Sequence, residues 1–505
     1  MKKRIIYALI FFSWMGESCQ DFLDVSPRET EKRETLFETQ SGFRTALTGV
    51  YLMLADDDLY GYTTSMYFPE LLARHWSVPI NDRISDLYVV SNYDFSDYKG
   101  NALITNTWTA YYKAIAQLND ILDALKNSDV VFTDNTEKFI EGEARGLRAL
   151  IYLDLLRFWG PVPALADPET LSVPYVVELT HDAQKLVAVP WKTVTEGIRN
   201  DLDQAEKLLA DIDPIRKYNP DDLNFSRSSS GVDEITDRWF YYRQNRMNYY
   251  AVLAAKARFY NWIATNSASA AEAKPLAVQY AKQLIEAVNA ETQNPQFSLG
   301  DFLNILDNGL ILYRECIFAL HNPKLQNIIK PAFIDDTPLL TQSTDNLNIA
   351  YEASLNAQDV RYGSISDGRY WIPTTDASKP AYNHFAKYNE YGRWHTWNQV
   401  PLLRLSEMYL ILLENLPVTE ANAYFKTFRI ARAMSNSLDN SLTEGNIRER
   451  IEKEYRKEFY GEGQMFFFYK RYQYSSFTYP ETFPLPQGLA DYRLPLPKNQ
   501  QIFEN

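Results

Sequence analysis

The chain has 505 residues, 46% hydrophobic and 23% charged, a globular composition that excludes wholesale disorder. Its formal net charge of −14 argues against nucleic acid and against a polybasic membrane-surface mode, since both need an excess of Lys and Arg. Two cysteines in a chain this long do not make a disulfide framework.

The chain opens with Lys2, Lys3 and Arg4, then a mostly apolar run from Ile5 to Trp14, then small polar residues leading to Cys19. That is the layout of an export signal. The run is too short to span a bilayer, which takes about 20 apolar residues, and no later run is long enough. Cys19 in GESCQDFLDVSP (16–27) looks like the lipid-bearing cysteine of a bacterial lipoprotein, where several acyl chains hold what one cannot. An ordinary exported cysteine, able to pair with Cys316, is the alternative. Residues 1–18 are read as signal and 19–505 as one domain.

Helical periodicity dominates the rest of the chain. In 107–125 the positions Trp108, Tyr111, Ile115, Leu118, Leu122 and Leu125 form one stripe; in 141–158 Ala144, Leu147, Ile151, Leu155 and Phe158 form another. Gly160, Pro161 and Pro163 stop the second helix. Further helices are predicted at 191–210, 247–265, 273–290, 401–415, 419–434 and 446–460. They fall into antiparallel pairs, which suggests a tetratricopeptide-like solenoid without a clean repeat. The scaffold thus occupies about 100–160, 190–210, 247–290 and 400–460, with loop-rich insertions at about 56–100, 212–246 and 291–400. The fold class is mainly α.

Several stretches then match one family in order. CQDFLDVSP, EARGLRALIYLDLLRFWGPVPAL (143–165), VPLLRLSEMYLILLE (400–414), IRERIEKEYRKEFYGEGQMFFFYKR (447–471) and YRLPLPKNQ (492–500) resemble the signature segments of the SusD/RagB surface nutrient-binding lipoproteins. Gln464 and Phe468 stand where that family usually carries Arg and Asp. The resemblance implies a helical scaffold with a loop-rich ligand face, and a glycan ligand. It further implies an outer-membrane, cell-surface location through lipid on Cys19, and a SusC-type TonB-dependent barrel over which the protein closes as a lid.

No catalytic pattern accompanies it. The five His show no metal-ligand spacing, and there is no G-x-S-x-G elbow and no phosphate-binding loop. Cys316 lies among apolar residues and reads as an inert thiol. Asp56, Asp57 and Asp58 read as a solvated acidic turn rather than a calcium loop. No cofactor, metal or enzyme activity is expected, although 65 acids can neither nominate nor exclude a glycosidase pair. Glu143, Arg145, Arg148, Asp154 and Arg157 read as ion pairs between packed helices, and Glu449–Lys453 and Glu452–Arg456 as i,i+4 pairs.

Sugars present apolar C–H faces and hydroxyl rims, so loop aromatics beside polar groups are the expected grip. The aromatic-rich stretches 60–98, 239–250 and 359–400 nominate Trp76, Asp82, Tyr88, Tyr93, Trp239, Tyr370, Trp371, Tyr391 and Trp394. The reading is glycan capture, with a peptide-capturing RagB-type lid, a surface glycosidase and a purely structural lid as alternatives.

Overall fold

The computed structural model describes residues 33, 35–78, 82–180, 186–224, 232–289, 292–300, 309–356, 358–362, 370–374, 382–392, 396–434, 441–477, 483–484 and 492–501. The signal, Cys19 and Trp394 lie outside the described residues. The long helices are α1 (Gln40–Leu54), α2 (Tyr98–Lys126), α3 (Thr136–Trp159), α4 (Trp191–Leu209), α5 (Tyr249–Ile263), α6 (Ala270–Ile285), α7 (Leu405–Asn415), α8 (Val418–Ala431), α9 (Ile447–Glu458) and α10 (Gln464–Arg471).

Each helix from α1 to α7 packs against the next, as in a solenoid of helix pairs. The sequence explains how. In α4, Val194, Ile198, Leu202, Ala205 and Leu209 form a buried stripe at three- and four-residue steps. It lies close against α3 because Gly142 has no side chain: a Cβ there would fall 2.8 Å from Leu209 Cγ. α3 stops where Pro161 follows the Gly160 cap. Helices α1 and α10 were not among the elements expected from periodicity.

The signature charges hold this scaffold together. Arg148 grips Asp201 on α4 with Nε–Oδ2 and Nη2–Oδ1 both at 2.8 Å. Glu143 accepts from Arg243 at 2.6 Å, Arg246 at 2.9 Å and the Tyr51 hydroxyl at 2.6 Å. Asp154 accepts from Arg157 and from Tyr60 at 2.5 Å. Within α9, Glu449–Lys453 and Glu452–Arg456 pair as expected, at 2.7 and 2.5 Å.

The predicted helix at 401–415 needs correction at its start. Residues 399–404 form strand β4 (Gln399–Arg404), antiparallel to β1 (Cys316–His321), and α7 begins only at Leu405. β4 is buried along its whole length, and a short run apolar from Val400 to Leu403 carries no periodicity that separates strand from helix. The loop region after 359 contributes a small hairpin, β2 (Trp371–Pro373) with β3 (Asn383–Phe385). One continuous hydrophobic cluster runs through scaffold and loop lobe alike.

The stretch 239–250, expected at the ligand face, is instead a clamp on β1. Gln244 Nε2 donates to Cys316 O at 2.6 Å, Asn248 Nδ2 to Ile317 O at 2.9 Å and Asn245 Nδ2 to Ala319 O at 2.9 Å. These side chains satisfy the carbonyls of an edge strand that would otherwise lack partners.

Candidate ligand-binding face

The first and third aromatic-rich regions do meet, but ring against ring in edge-to-face contacts. Trp76 packs on Phe333, Phe385, Trp371 and Tyr460 with centroid separations of 5.4, 5.3, 6.1 and 5.7 Å. Its indole N–H donates to Met66 O at 2.9 Å, and that of Trp371 to the Tyr351 hydroxyl at 3.2 Å. Tyr93 donates to Leu72 O, and the ammonium of Lys387 stands 5.0 Å from the buried ring of Tyr370. Trp76, Tyr93, Tyr370 and Trp371 are therefore core residues, each under one-tenth exposed, and offer no open face to a ligand. The physical reason is that loops this long become ordered only by burying apolar area, and large rings supply most of it.

Trp239 is held by cations instead: the guanidinium carbons of Arg44 and Arg246 stand 4.6 and 4.2 Å from its ring centre. Cation–π contact fixes this half-buried ring against α1 and the β1 clamp. Asp82 is exposed, Tyr88 and Tyr391 are half-buried, and these three remain at the surface.

A patch outside the nominated residues lies in the first region. Tyr62 and Tyr67 stack at 5.3 Å and 24°, both half-buried. Burial, and then the carboxylate of Asp86, push the Tyr67 hydroxyl up, which marks Asp86 as its neighbour. Asp86 pairs with Lys99 at 2.7 Å, and Lys99 Nζ also donates to Ile84 O at 2.7 Å and stands 5.9 Å from the ring of Tyr98. Tyr98 is 76% exposed. Ring faces, one carboxylate and one ammonium thus line a single surface, the chemistry a hydroxylated ring needs. A sequence signal for Tyr98 existed: Asp97 is the N-cap of α2, its Oδ1 accepting from Lys99 N at 2.8 Å, and the first helical residue after a cap has no neighbouring turn to cover it.

Beneath the lobe lies a buried ionic network. Arg404 reaches Glu458 at 2.7 Å, Glu462 at 2.7 Å and Glu315 at 3.0 Å. Arg432 binds Glu458 and Glu315, each at 2.8 Å, while Arg361 binds Asp359, Glu454 and Glu458 at 2.7, 2.8 and 3.0 Å. Lys387 holds Glu462 and the carbonyls of Glu458 and Tyr460. Burial alone would raise Glu458, but Arg432 and Arg404 outweigh it and hold the carboxyl well below the usual range. An acid held ionised in this way makes a poor general acid. Burial pushes the Cys316 thiol up, so it stays protonated.

Among the described residues no group of three or more His, Cys, Asp or Glu is arranged to hold a metal ion. Asp56 and Asp57 hydrogen-bond to each other instead, lowering the first and, with burial, pushing the second up to about 6. Nor is any described helix long and apolar enough to cross a membrane.

A family model described as starch-binding associating with outer membrane matches residues 21–221, and a second, described as the SusD family, matches 345–499. The chain belongs to the SusD/RagB family. It is 25% identical over 215 residues to SusD-like protein P25 of Formosa agariphila, covering 42% of this chain and 38% of that one. It is 30% identical over 100 residues to a SusD-like protein of Bacteroides ovatus, covering 19% and 18%. The matched stretches thus span well under half of those SusD-like relatives. Solved structures share the fold throughout. A SusD superfamily protein of Bacteroides thetaiotaomicron aligns with TM-score 0.68 at 18% identity over 92% of this chain and 98% of its own. A SusD-like carbohydrate binding protein of Bacteroides vulgatus aligns with TM-score 0.62 at 15% identity, over 92% and 96%. The mainly α, loop-elaborated architecture is that of the SusD superfamily.

Proposed function

We propose that this protein is a cell-surface lipoprotein, anchored by acyl chains on Cys19, that captures an oligosaccharide and delivers it to a SusC-type TonB-dependent barrel as its lid. It performs no bond cleavage and needs no cofactor. Family membership supports the general role, and the description of the matching family model supports outer-membrane association. The observation that carries the choice of cargo is the surface run Tyr62, Tyr67, Asp86, Lys99 and Tyr98, where stacked rings stand beside a paired carboxylate and ammonium. Ring faces serve a sugar's C–H surface, whereas a peptide is held chiefly through backbone hydrogen bonds, so the patch favours glycan over peptide.

The test is binding of the purified protein to a panel of neutral and acidic oligosaccharides by calorimetry, with product analysis on the same mixtures. Tyr67→Ala with Tyr98→Ala should weaken binding at least about fivefold, the loss typical of an interface anchor, with melting little changed. Binding unaffected by both, or glycan shortened by the pure protein, refutes the reading. Growth with labelled palmitate should label the wild type and leave Cys19→Ala unlabelled.

A further inference from the structure

A cavity opens on the helical scaffold, away from the Tyr62–Tyr98 patch. It is a cleft of about 210 Å³ between the start of α4, the end of α5, the start of α6 and the turn at 163–168. Two of its lining rings are more than nine-tenths buried: Trp191 is 6% exposed and Tyr260 is 5%. Neither the Trp191 indole N–H nor the Tyr260 hydroxyl has a hydrogen-bond partner among the described residues, yet both residues line the cleft. Neither tip is a sealed-off polar atom, so both open into the cleft, where a ligand's hydroxyls could replace water. Tyr260 is supported from behind by Tyr280, stacked at 5.8 Å and 6°. The rim carries Lys192 and Arg199 against Glu196 and Glu272, with Arg199 and Glu272 3.6 Å apart.

We infer that this cleft is a second saccharide site, taking one neutral sugar residue of a bound glycan. Ring surfaces form its floor, a donor N–H and a phenolic O–H meet the ligand's hydroxyls, and a rim of balanced charge gives neither sulfate nor ammonium a net attraction. A peptide fits less well. The walls are helix ends whose backbone groups are already engaged: Trp191 N and Lys192 N donate to Thr170 O and Pro168 O at 2.7 and 3.1 Å, and the carbonyls of Pro163 and Ala166 accept from Asn266 Nδ2 at 2.7 and 2.6 Å. No free backbone edge is left among the described lining residues for an extended chain to pair with. The inference rests on the reading of the cargo as carbohydrate, but concerns a different surface from the Tyr62–Tyr98 patch.

The experiment uses the whole mature protein with maltohexaose, xylohexaose and chitohexaose as probes, read by saturation-transfer NMR and by calorimetric stoichiometry. Tyr260→Phe removes only an unpaired hydroxyl and Trp191→Phe the unpaired N–H; the first should leave melting unchanged, so it keeps the test readable if the second unfolds. At least one probe should bind at two sites, one of them weakened about three- to tenfold by Tyr260→Phe and unaffected by Tyr67→Ala with Tyr98→Ala. A single site lost with the Tyr67 and Tyr98 variants overturns the cleft and leaves the proposed function standing. Sugar binding that responds only to Tyr260→Phe keeps the cleft and overturns the patch. No saccharide bound anywhere overturns both, and a peptide held at the cleft in place of sugar overturns its assigned chemistry.

Discussion

Arg404 and Glu458 meet at 2.7 Å with almost no exposure of either side chain, and that pair ties β4 to α9. Around it, Arg361, Arg432 and Lys387 interleave with Asp359, Glu315, Glu454 and Glu462, so residues from the loop lobe and from the terminal helices share one charge cluster. Such a cluster contributes little net stability when whole but is costly to break, because each member left behind is a buried charge without a partner.

Arg404→Met therefore removes a cation shared by Glu458, Glu462 and Glu315 and leaves Arg432, Arg361 and Lys387 to face them. The expected loss is about 3–5 kcal/mol, the usual cost of breaking a buried ion pair by removing one partner. It should appear as a lower urea midpoint with an unchanged slope. A midpoint within experimental scatter of wild type would show that the three acids find other partners or take up protons without strain.

The same network sets the acid limit of the fold. Burial raises Glu454, but Lys457, Arg361 and Arg429 outweigh it and lower its carboxyl from the ordinary 4.5 to about 2. A carboxyl depressed on folding binds its proton more readily when unfolded. Its stabilising contribution is complete above pH 4.5 and is lost as pH falls toward 2, amounting to about 3 kcal/mol for this one group. Circular dichroism should show a flat melting temperature above about pH 5 and a steep fall below pH 4.5, the steepness reduced in Glu454→Gln. A fall centred near neutral pH would place the controlling group elsewhere.

Trp76→Ala and Trp371→Ala are folding variants rather than binding variants. Each deletes a ring packed among Phe385, Tyr460 and the other indole, and core Trp→Ala changes cost about 3–5 kcal/mol. Melting should drop sharply, while the fraction that stays folded binds glycan with wild-type affinity. A variant that keeps its melting temperature and loses binding would return these rings to the ligand face.

Much of the scaffold was legible because its helices are long and strongly periodic: the Val194–Leu209 stripe states both the element and its buried side. β4 was not, since VPLLR is apolar at nearly every step and only pairing with β1 decides its conformation. Of the charges read as ion pairs between packed helices, Arg145 and Arg148 do reach Asp201 on α4, but Arg157 meets Asp154 within α3, and the partner of Glu143 is Arg243, 100 residues away, which nothing local names. The ligand face was the least legible part. Composition places rings in a loop without telling which ones the loop spends on its own core, so Trp76 and Tyr98 look alike in sequence and differ completely in exposure. The capped start of α2 was the one local clue that separated them.

Gln464 and Phe468 on α10 bear on the same question, because the resemblance sets Arg and Asp against them. Here Gln464 Oε1 accepts from Arg157 Nη1 at 2.9 Å, and Phe468 is buried between Tyr455 and Tyr472 at 4.8 and 4.9 Å. Phe468→Asp alone buries a carboxylate in an aromatic setting and should cost at least about 3 kcal/mol. Gln464→Arg alone removes an acceptor and sets a second guanidinium beside Arg157, costing about 1–3 kcal/mol. Positions 464 and 468 lie one turn apart on α10, so in the double variant Arg and Asp face each other. The double variant should then be more stable than the sum of the single losses by about 0.5–3 kcal/mol, measured as a double-mutant cycle on urea midpoints. Strictly additive losses would mean that the aromatic packing around 468 has closed the space in which such a pair could form.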